Sequence, residues 1–261
     1  MEIIDFHAHV YPDHVADKAT RATCAFYGLD TDLVGSVDCL LSRGRSAGVT
    51  RYVLHPVATH PTGVRHINEN TVAQVNAHPE FYGFGTIHPD MDDPLSELDF
   101  IRASGLRGLK LHPDMQTCNS DDERLLPVYE RCCELGLPVL IHCGDRRRDF
   151  SHPRHLRRAL DRFPSLTVIA AHLGGWSLWD EALEALLSTN CYLDISSSMM
   201  FMPPEQVVTY IRAYGVHRIL FGTDFPVWDP VTEVEALMKL PLSDEEKQMI
   251  AGENALRLLG E

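Results

Sequence analysis

Eight short apolar runs, each closing on a polar residue or on Gly or Pro and each followed by a stretch with helical spacing, constrain this chain more than any other feature. The runs are Ile3 to His9, Tyr52 to Val57, Tyr82 to His88, Leu106 to His112, Pro138 to Cys143, Thr167 to His172, Cys191 to Ser196 and Arg218 to Thr223. Segments such as Val139-Leu140-Ile141 and Val168-Ile169-Ala170-Ala171 are apolar without alternation, the pattern of parallel strands buried on both faces. Between the runs, helical spacing covers about 36–47, 66–78, 94–104, 124–135, 153–163, 178–188, 204–214 and 243–259. Pro153 after Ser151-His152, Gly136 after Glu134-Leu135, and the capping-box pattern Ser243-Asp244-Glu245-Glu246 mark helix ends. Strict alternation repeated eight times predicts an α/β fold, a single (β/α)8 TIM-type barrel over residues 1–261. An open doubly wound sheet would stop nearer five or six strands. The longest predicted loops, 10–35, 58–65 and 144–151, follow the first, second and fifth strands, at the strand ends where such barrels place their sites.

The histidines follow the same geometry. Seven of the 14, namely His7, His9, His55, His88, His112, His142 and His172, fall at or near the C-terminal ends of predicted strands. One such histidine is commonly a core residue with its hydrogen bonds met, but seven would need seven separate buried solutions unless several share a site. In His7-Ala8-His9 the two imidazoles lie two residues apart on a strand and point to one side of the pleat, which suits one metal ion. His142 adds a third nitrogen and Asp224 an oxygen. That donor set fits Zn²⁺ first, or Mn²⁺, with a position left for the water that acts as nucleophile. Such water needs a nearby base, and His172 and Asp224 are the candidates.

Other features limit the partners. With 23 Lys and Arg against 37 Asp and Glu, the formal charge of -14 repels nucleic acid and anionic lipid. The seven scattered cysteines contain no C-x-x-C pair and suit a reducing compartment. The start Met-Glu-Ile-Ile-Asp shows no signal-peptide pattern, and no apolar stretch approaches membrane-spanning length, so a cytoplasmic location is expected, with neither a membrane nor nucleic acid as partner. A small-molecule substrate is expected. Arg147, in the cluster Arg146-Arg147-Arg148, would meet an anionic one or simply face solvent.

The ordered series Ile-Ile-Asp-Phe-His-Ala-His (3–9), Gly-Leu-Lys-Leu-His-Pro (108–113), Val-Leu-Ile-His-Cys-Gly (139–144), Ala-His-Leu-Gly-Gly (171–175) and Phe-Gly-Thr-Asp-Phe-Pro (221–226) resembles the amidohydrolase superfamily. More narrowly, it resembles the amidohydrolase-related group that includes aminocarboxymuconate-semialdehyde decarboxylase. Glu253-Asn254-Ala255 is similar to that group's usual ending. The resemblance implies that His7 and His9 are metal ligands from strand one, His142 from strand five and Asp224 from strand eight. It implies that His172 orients or deprotonates the water in mononuclear relatives, with Asp224 a ligand or near-ligand and also a proton shuttle. In binuclear members a strand-four lysine is carboxylated between two metals, so one or two ions per chain are implied. Lys110 would then bridge a second ion together with His172. The other readings are that it binds a substrate carboxylate as a free ammonium or pairs with Asp194 or another acid. His112, on the same face as Lys110, would line the site or serve the second metal.

His55, His88 and Trp176 would line the pocket or be structural; Asp194 and Ser196 are expected to support it, and Cys143 to be packing. The resemblance is compatible with a homodimer. The activity expected first is hydrolysis of an amide, lactone or ester-like bond in a small carboxylated or cyclic compound. A non-oxidative decarboxylase using the same metal site is the alternative, and a non-catalytic metal-binding barrel the third reading.

Overall fold

A computed structural model describes all residues 1–261. It contains nine strand segments: β1 Ile4–Ala8, β2 Arg51–Leu54, β3 Phe81–Gly83, β4 Gly85–Thr86, β5 Leu109–Leu111, β6 Val139–Ile141, β7 Val168–Ala170, β8 Tyr192–Asp194 and β9 Ile219–Leu220. β3 and β4 are two parts of one strand run interrupted at Phe84, so the segments correspond to the eight predicted runs. Helices alternate with them, and the fold is the (β/α)8 barrel that the alternation predicts. No helix is long and apolar enough to cross a membrane.

The chain divides into two compact units, residues 1–55 with 195–261, and residues 56–194. In the first unit, β1 pairs in parallel with β2, Ile4 opposite Arg51 and Ala8 opposite Leu54, with the register shifting between Asp5 and Ala8. On its other side β1 is laced to the segment around β9. Phe6 N–H donates to Phe221 O (2.9 Å), Asp224 N–H to His7 O (2.7 Å) and His9 N–H to Phe225 O (2.8 Å). Gly222 makes that approach feasible, because a Cβ there would lie 2.8 Å from His7 Cβ.

In the second unit, β4 to β8 pair in parallel in chain order. Gly85 lies opposite Leu109, Leu109 opposite Val139, Val139 opposite Val168, and Ile169 opposite Tyr192. Leu111 and Ile141 are partners, and Ile141 and Ala170 are partners. The register therefore brings His112, His142 and His172 to the same end of adjacent strands. All three strands are fully buried; β6 and β7 are apolar throughout, as the absence of alternation requires, whereas β5 carries Lys110 between Leu109 and Leu111.

The helices depart from the predicted pattern in three places. The stretch 10–35, expected as a loop, contains a helix at Asp13–Tyr27, ended by Gly28 in the left-handed conformation. Its buried stripe is only Ala16, Thr20 and Cys24, too small and polar to read as amphipathic. A second unpredicted helix, Pro230–Lys239, begins with Asp229 accepting from Val231 N–H and Pro230 in its first turn. The predicted 243–259 helix keeps its capping box at Ser243 and Glu246 but passes through a π-helical turn at Met249–Glu253. There Gly252 lies against the chain start, where a Cβ would sit 2.7 Å from Glu2 O, and Ile250 O accepts from Phe221 N–H at 2.9 Å.

One buried acid holds the first unit's site end together. Asp5, fully buried, accepts from His7 N–H (3.1 Å), Thr223 N–H (2.9 Å) and Thr223 Oγ1 (2.6 Å). Replacing Asp5 with Ala would strand these buried donors, and an unfolding free energy lower by roughly 2–5 kcal/mol is expected in urea titrations. A loss below about 1 kcal/mol would show that Asp5 is not the clamp.

Candidate metal centre

His7, His9 and Asp224 meet in the first unit. Their candidate ligand atoms all lie within 4.8 Å of one another. Asp224 Oδ1 is 3.2 Å from His9 Nε2 and 3.7 Å from His7 Nε2. The opposite edge of each ring is already engaged. His9 Nδ1 bonds the carbonyl of His55, and His7 Nδ1 pairs with Ser196 Oγ at 3.2 Å. A ring nitrogen bonded to a carbonyl must carry the proton, so in the neutral imidazole His9 Nε2 presents its lone pair to Asp224 Oδ1, and only a doubly protonated ring would donate there. Acceptor then faces acceptor. A cation between them resolves that repulsion, and an imidazole fixed through its other nitrogen is the usual condition of a metal-bound histidine. The donor chemistry therefore fits a divalent ion.

The left-handed backbone of Asp224, φ 60°, turns its carboxylate toward the two rings. Its Oδ2 accepts from Ser197 Oγ at 2.6 Å, and Ser197 in turn accepts from Trp228 Nε1 at 2.8 Å. His55, predicted at the site, supports it: its carbonyl holds His9 and its Nε2 lies 2.7 Å from Phe6 O.

The second unit gathers the other predicted histidines. His142 Nδ1 and His172 Nε2 are 3.0 Å apart, and His112 stacks on His142 with ring centroids 4.1 Å apart at 11°. His142 Nε2 lies 3.0 Å from Gly144 O. His172, φ 61°, is held through its backbone: its N–H donates to Asp194 Oδ1 at 3.1 Å and its carbonyl accepts from Trp179 Nε1 at 3.1 Å. Asp194 thus supports His172 as expected. Lys110 is buried and stands level with Thr86 and Leu140 in the sheet.

Asp114 joins this group without a clear sequence pattern to mark it. This buried acid lies 3.7 Å from His142 Nε2 and is held by the hydroxyl and N–H of Ser151. Burial pushes its carboxyl up to about 6, despite the hydrogen bonds from Ser151, and the charge of Asp145 adds to the rise. Its only signal was an acid directly after His112-Pro113. The arginine cluster holds its own loop. Arg147 Nε and Nη2 bond Asp145, with the guanidinium 5.6 Å above the Trp176 ring, and Arg146 Nη2 donates to Ser177 O at 2.7 Å. His88 accepts from Asp90 N–H at 3.1 Å, and burial lowers its pKa. Cys143 is packing as expected, its thiol pushed well up by burial.

The chain belongs to the amidohydrolase family, whose model matches residues 4–260. The resemblance carried by the five motifs is borne out at that level, and membership supports a divalent metal. A curated dihydroorotase of Pseudomonas fluorescens is 36% identical over 91 residues, covering 30% of this chain and 26% of that protein. The match thus spans about a quarter of that relative's length. Among solved structures, a TIM-barrel protein of Bordetella bronchiseptica aligns over 100% of this chain and 99% of its own, with a TM-score of 0.82 and 24% identity. A dihydroxybenzoic acid decarboxylase of a Polaromonas species, solved with bound manganese, aligns over 99% and 97%, with a TM-score of 0.77 and 17% identity. Both likenesses establish the barrel fold.

One further acid lies in the first unit. Glu233 is buried on the Pro230–Lys239 helix and its Oε2 has no hydrogen-bond partner. Burial first, then the charges of Asp5 and Asp224, push its carboxyl from 4.5 up to about 8. Between those pH values the unfolded chain releases a proton that the folded protein keeps, so this group's contribution to stability is full below 4.5 and is lost as pH rises through 8. In the metal-free protein, Glu233→Gln is therefore expected to be neutral near pH 4.5 and stabilising by a few kcal/mol near pH 8, measured by urea unfolding. An unchanged pH slope would show that Glu233 is ionised in the folded protein.

Proposed function

We propose that this protein is a metal-dependent hydrolase that activates water against an amide, lactone or ester-like bond of a small carboxylated or cyclic substrate. The observation that carries the reading is the facing of His9 Nε2 and Asp224 Oδ1 at 3.2 Å, with His7 Nε2 beside them. His7, His9 and Asp224 would hold the ion, and the family pattern adds His142 as a further ligand. The ion would act as a Lewis acid that makes water a nucleophile near neutral pH and polarises the substrate's carbonyl. Zn²⁺ and Mn²⁺ both suit two or three imidazoles and a carboxylate.

The chain's own residues handle protons and orientation. Asp224, 15% exposed, and His9, 12% exposed, are the donors open to a substrate, whereas His7 is sealed at 1%. His172 is the proposed base, and the bond from its backbone N–H to Asp194 would anchor the residue at the strand end. Water's proton would pass to His172 or Asp224 and then to the leaving nitrogen or oxygen, so that one water is consumed per bond cleaved. Lys110 would bind a substrate carboxylate or, if carboxylated, bridge a second ion with His172. Likeness to part of a dihydroorotase supports the hydrolytic reading. A non-oxidative decarboxylase is the second reading, favoured by the full-length fold likeness to the manganese-bound decarboxylase.

The test is a panel of lactones, cyclic amides and aromatic carboxylic acids, assayed on protein of measured metal content. Hydrolysis abolished by a chelator and restored by Zn²⁺ or Mn²⁺ is expected. Carbon dioxide released from an aromatic acid, without hydrolysis of any other compound, would replace hydrolysis with decarboxylation. Protein that binds neither ion would overturn both readings. His172→Asn is expected to keep the first metal equivalent and lower turnover by about 10²–10⁴. Loss of that equivalent would make His172 a primary ligand, and loss of only a second one would favour the binuclear arrangement.

A further inference from the structure

We propose that Trp228 and Ser197 form a positioning relay that decides which oxygen of Asp224 faces the metal position; the inference rests on the reading that His7, His9 and Asp224 hold an ion. The relay is two hydrogen bonds long. Trp228 Nε1 donates to Ser197 Oγ at 2.8 Å, and Ser197 Oγ donates to Asp224 Oδ2 at 2.6 Å. Its direction is chemically fixed, because an indole N–H can only donate. With an acceptor lone pair of Ser197 taken by Trp228, the single hydroxyl proton is left for the carboxylate. Oδ2 is thereby engaged on the side of Ser197, and Oδ1 is the oxygen that lies 3.2 and 3.7 Å from the two imidazole nitrogens.

The backbone shows that this bond is imposed by its surroundings. Ser197 (φ 50°) and Asp224 (φ 60°) both occupy the left-handed region, unfavourable for side-chain-bearing residues, and they are bonded to each other. Asp224 is pinned in that conformation by its N–H to His7 O and by Val227 N–H to its own carbonyl at 3.0 Å. The indole is steadied in turn by Phe201, whose ring meets it edge-on at 5.7 Å and 75°. A carboxylate so held would ligate through one oxygen, without the freedom to swing both toward the ion. Trp228 and Ser197 thus act on the metal through Asp224 while touching neither of the histidines' ligand nitrogens.

The experiment measures Mn²⁺ affinity directly, by electron paramagnetic resonance of the free ion, alongside the melting temperature of metal-free protein. The variants are Trp228→Phe, Ser197→Gly and the double substitution. Trp228→Phe keeps the ring packing and removes only the N–H. Ser197→Gly removes the hydroxyl and its two hydrogen bonds while relieving the left-handed backbone; the two effects oppose each other, so its metal-free melting temperature is expected to be little changed. Mn²⁺ binding is nevertheless expected to weaken about 10–100-fold in Ser197→Gly and about 3–10-fold in Trp228→Phe. Because Trp228 acts through Ser197, the double variant is expected to bind no more weakly than Ser197→Gly alone. Wild-type affinity in Ser197→Gly, or losses that multiply in the double variant, would overturn the relay. Should Trp228→Phe fail to fold, Ser197→Gly decides alone: weakened binding with a little-changed melting temperature supports the relay, and unchanged binding overturns it. A wild-type protein that binds no Mn²⁺ or Zn²⁺ would overturn the metal reading itself, and the relay with it.

Discussion

The site depends on a carboxylate that does not face it. Asp5 lies in the middle of β1, fully buried, and spends its oxygens on the backbone of His7 and on Thr223. This ties the strand that carries His7 and leads into His9 to the segment that carries Asp224, across the point where the β1 register shifts. A charge in such a place is tolerable only when donors surround it, and the three bonds it accepts are donors that would otherwise be buried without partners. Asp224 N–H to His7 O then adds a direct link. The relative placement of His7 and Asp224, distant in sequence, is set by these few short bonds.

The strand end positions were legible in the sequence because parallel barrel strands have a strong and redundant signal. Val139-Leu140-Ile141 and Val168-Ile169-Ala170 could hardly be anything but buried strands, and the polar residues that stop them mark the end where sites form. Once the strands are placed, parallel register leaves little freedom for His112, His142 and His172. The helix at Asp13–Tyr27 was illegible for a corresponding reason, since Ala16, Thr20 and Cys24 make too small a stripe to register as an apolar face.

What the sequence did not show is the layer behind the candidate ligands. Asp114 bonds Ser151, Ser197 bonds Asp224 and Trp228 bonds Ser197, and none of these partnerships leaves a periodic trace. The bond between Ser197 and Asp224 joins two residues with left-handed backbone, which ordinary residues seldom adopt and which no residue type announces here; His172 has the same backbone. Glycine would have announced it. Its occurrence at residues with side-chain roles illustrates why local rules of sequence reading fail first at a site.

The electrostatics of the first unit give the same picture from another side. Asp5, Asp224 and Glu233 are close enough for the first two to raise the pKa of the third, and burial raises it further. Hydrogen bonds solvate Asp5 and Glu233 holds its own proton up to about pH 8, so Asp224 is the acid left facing the site. It is also the most accessible of the three and the one aimed at His7 and His9. On a protein of formal charge -14, a divalent cation at that point would relieve local repulsion as well as serve the proposed chemistry. The same field works against anionic substrates, so a carboxylated substrate would have to draw on the ion or on Lys110 to approach. For such a substrate, binding would then be tied to metal occupancy more closely than the proposed ligand set alone would require.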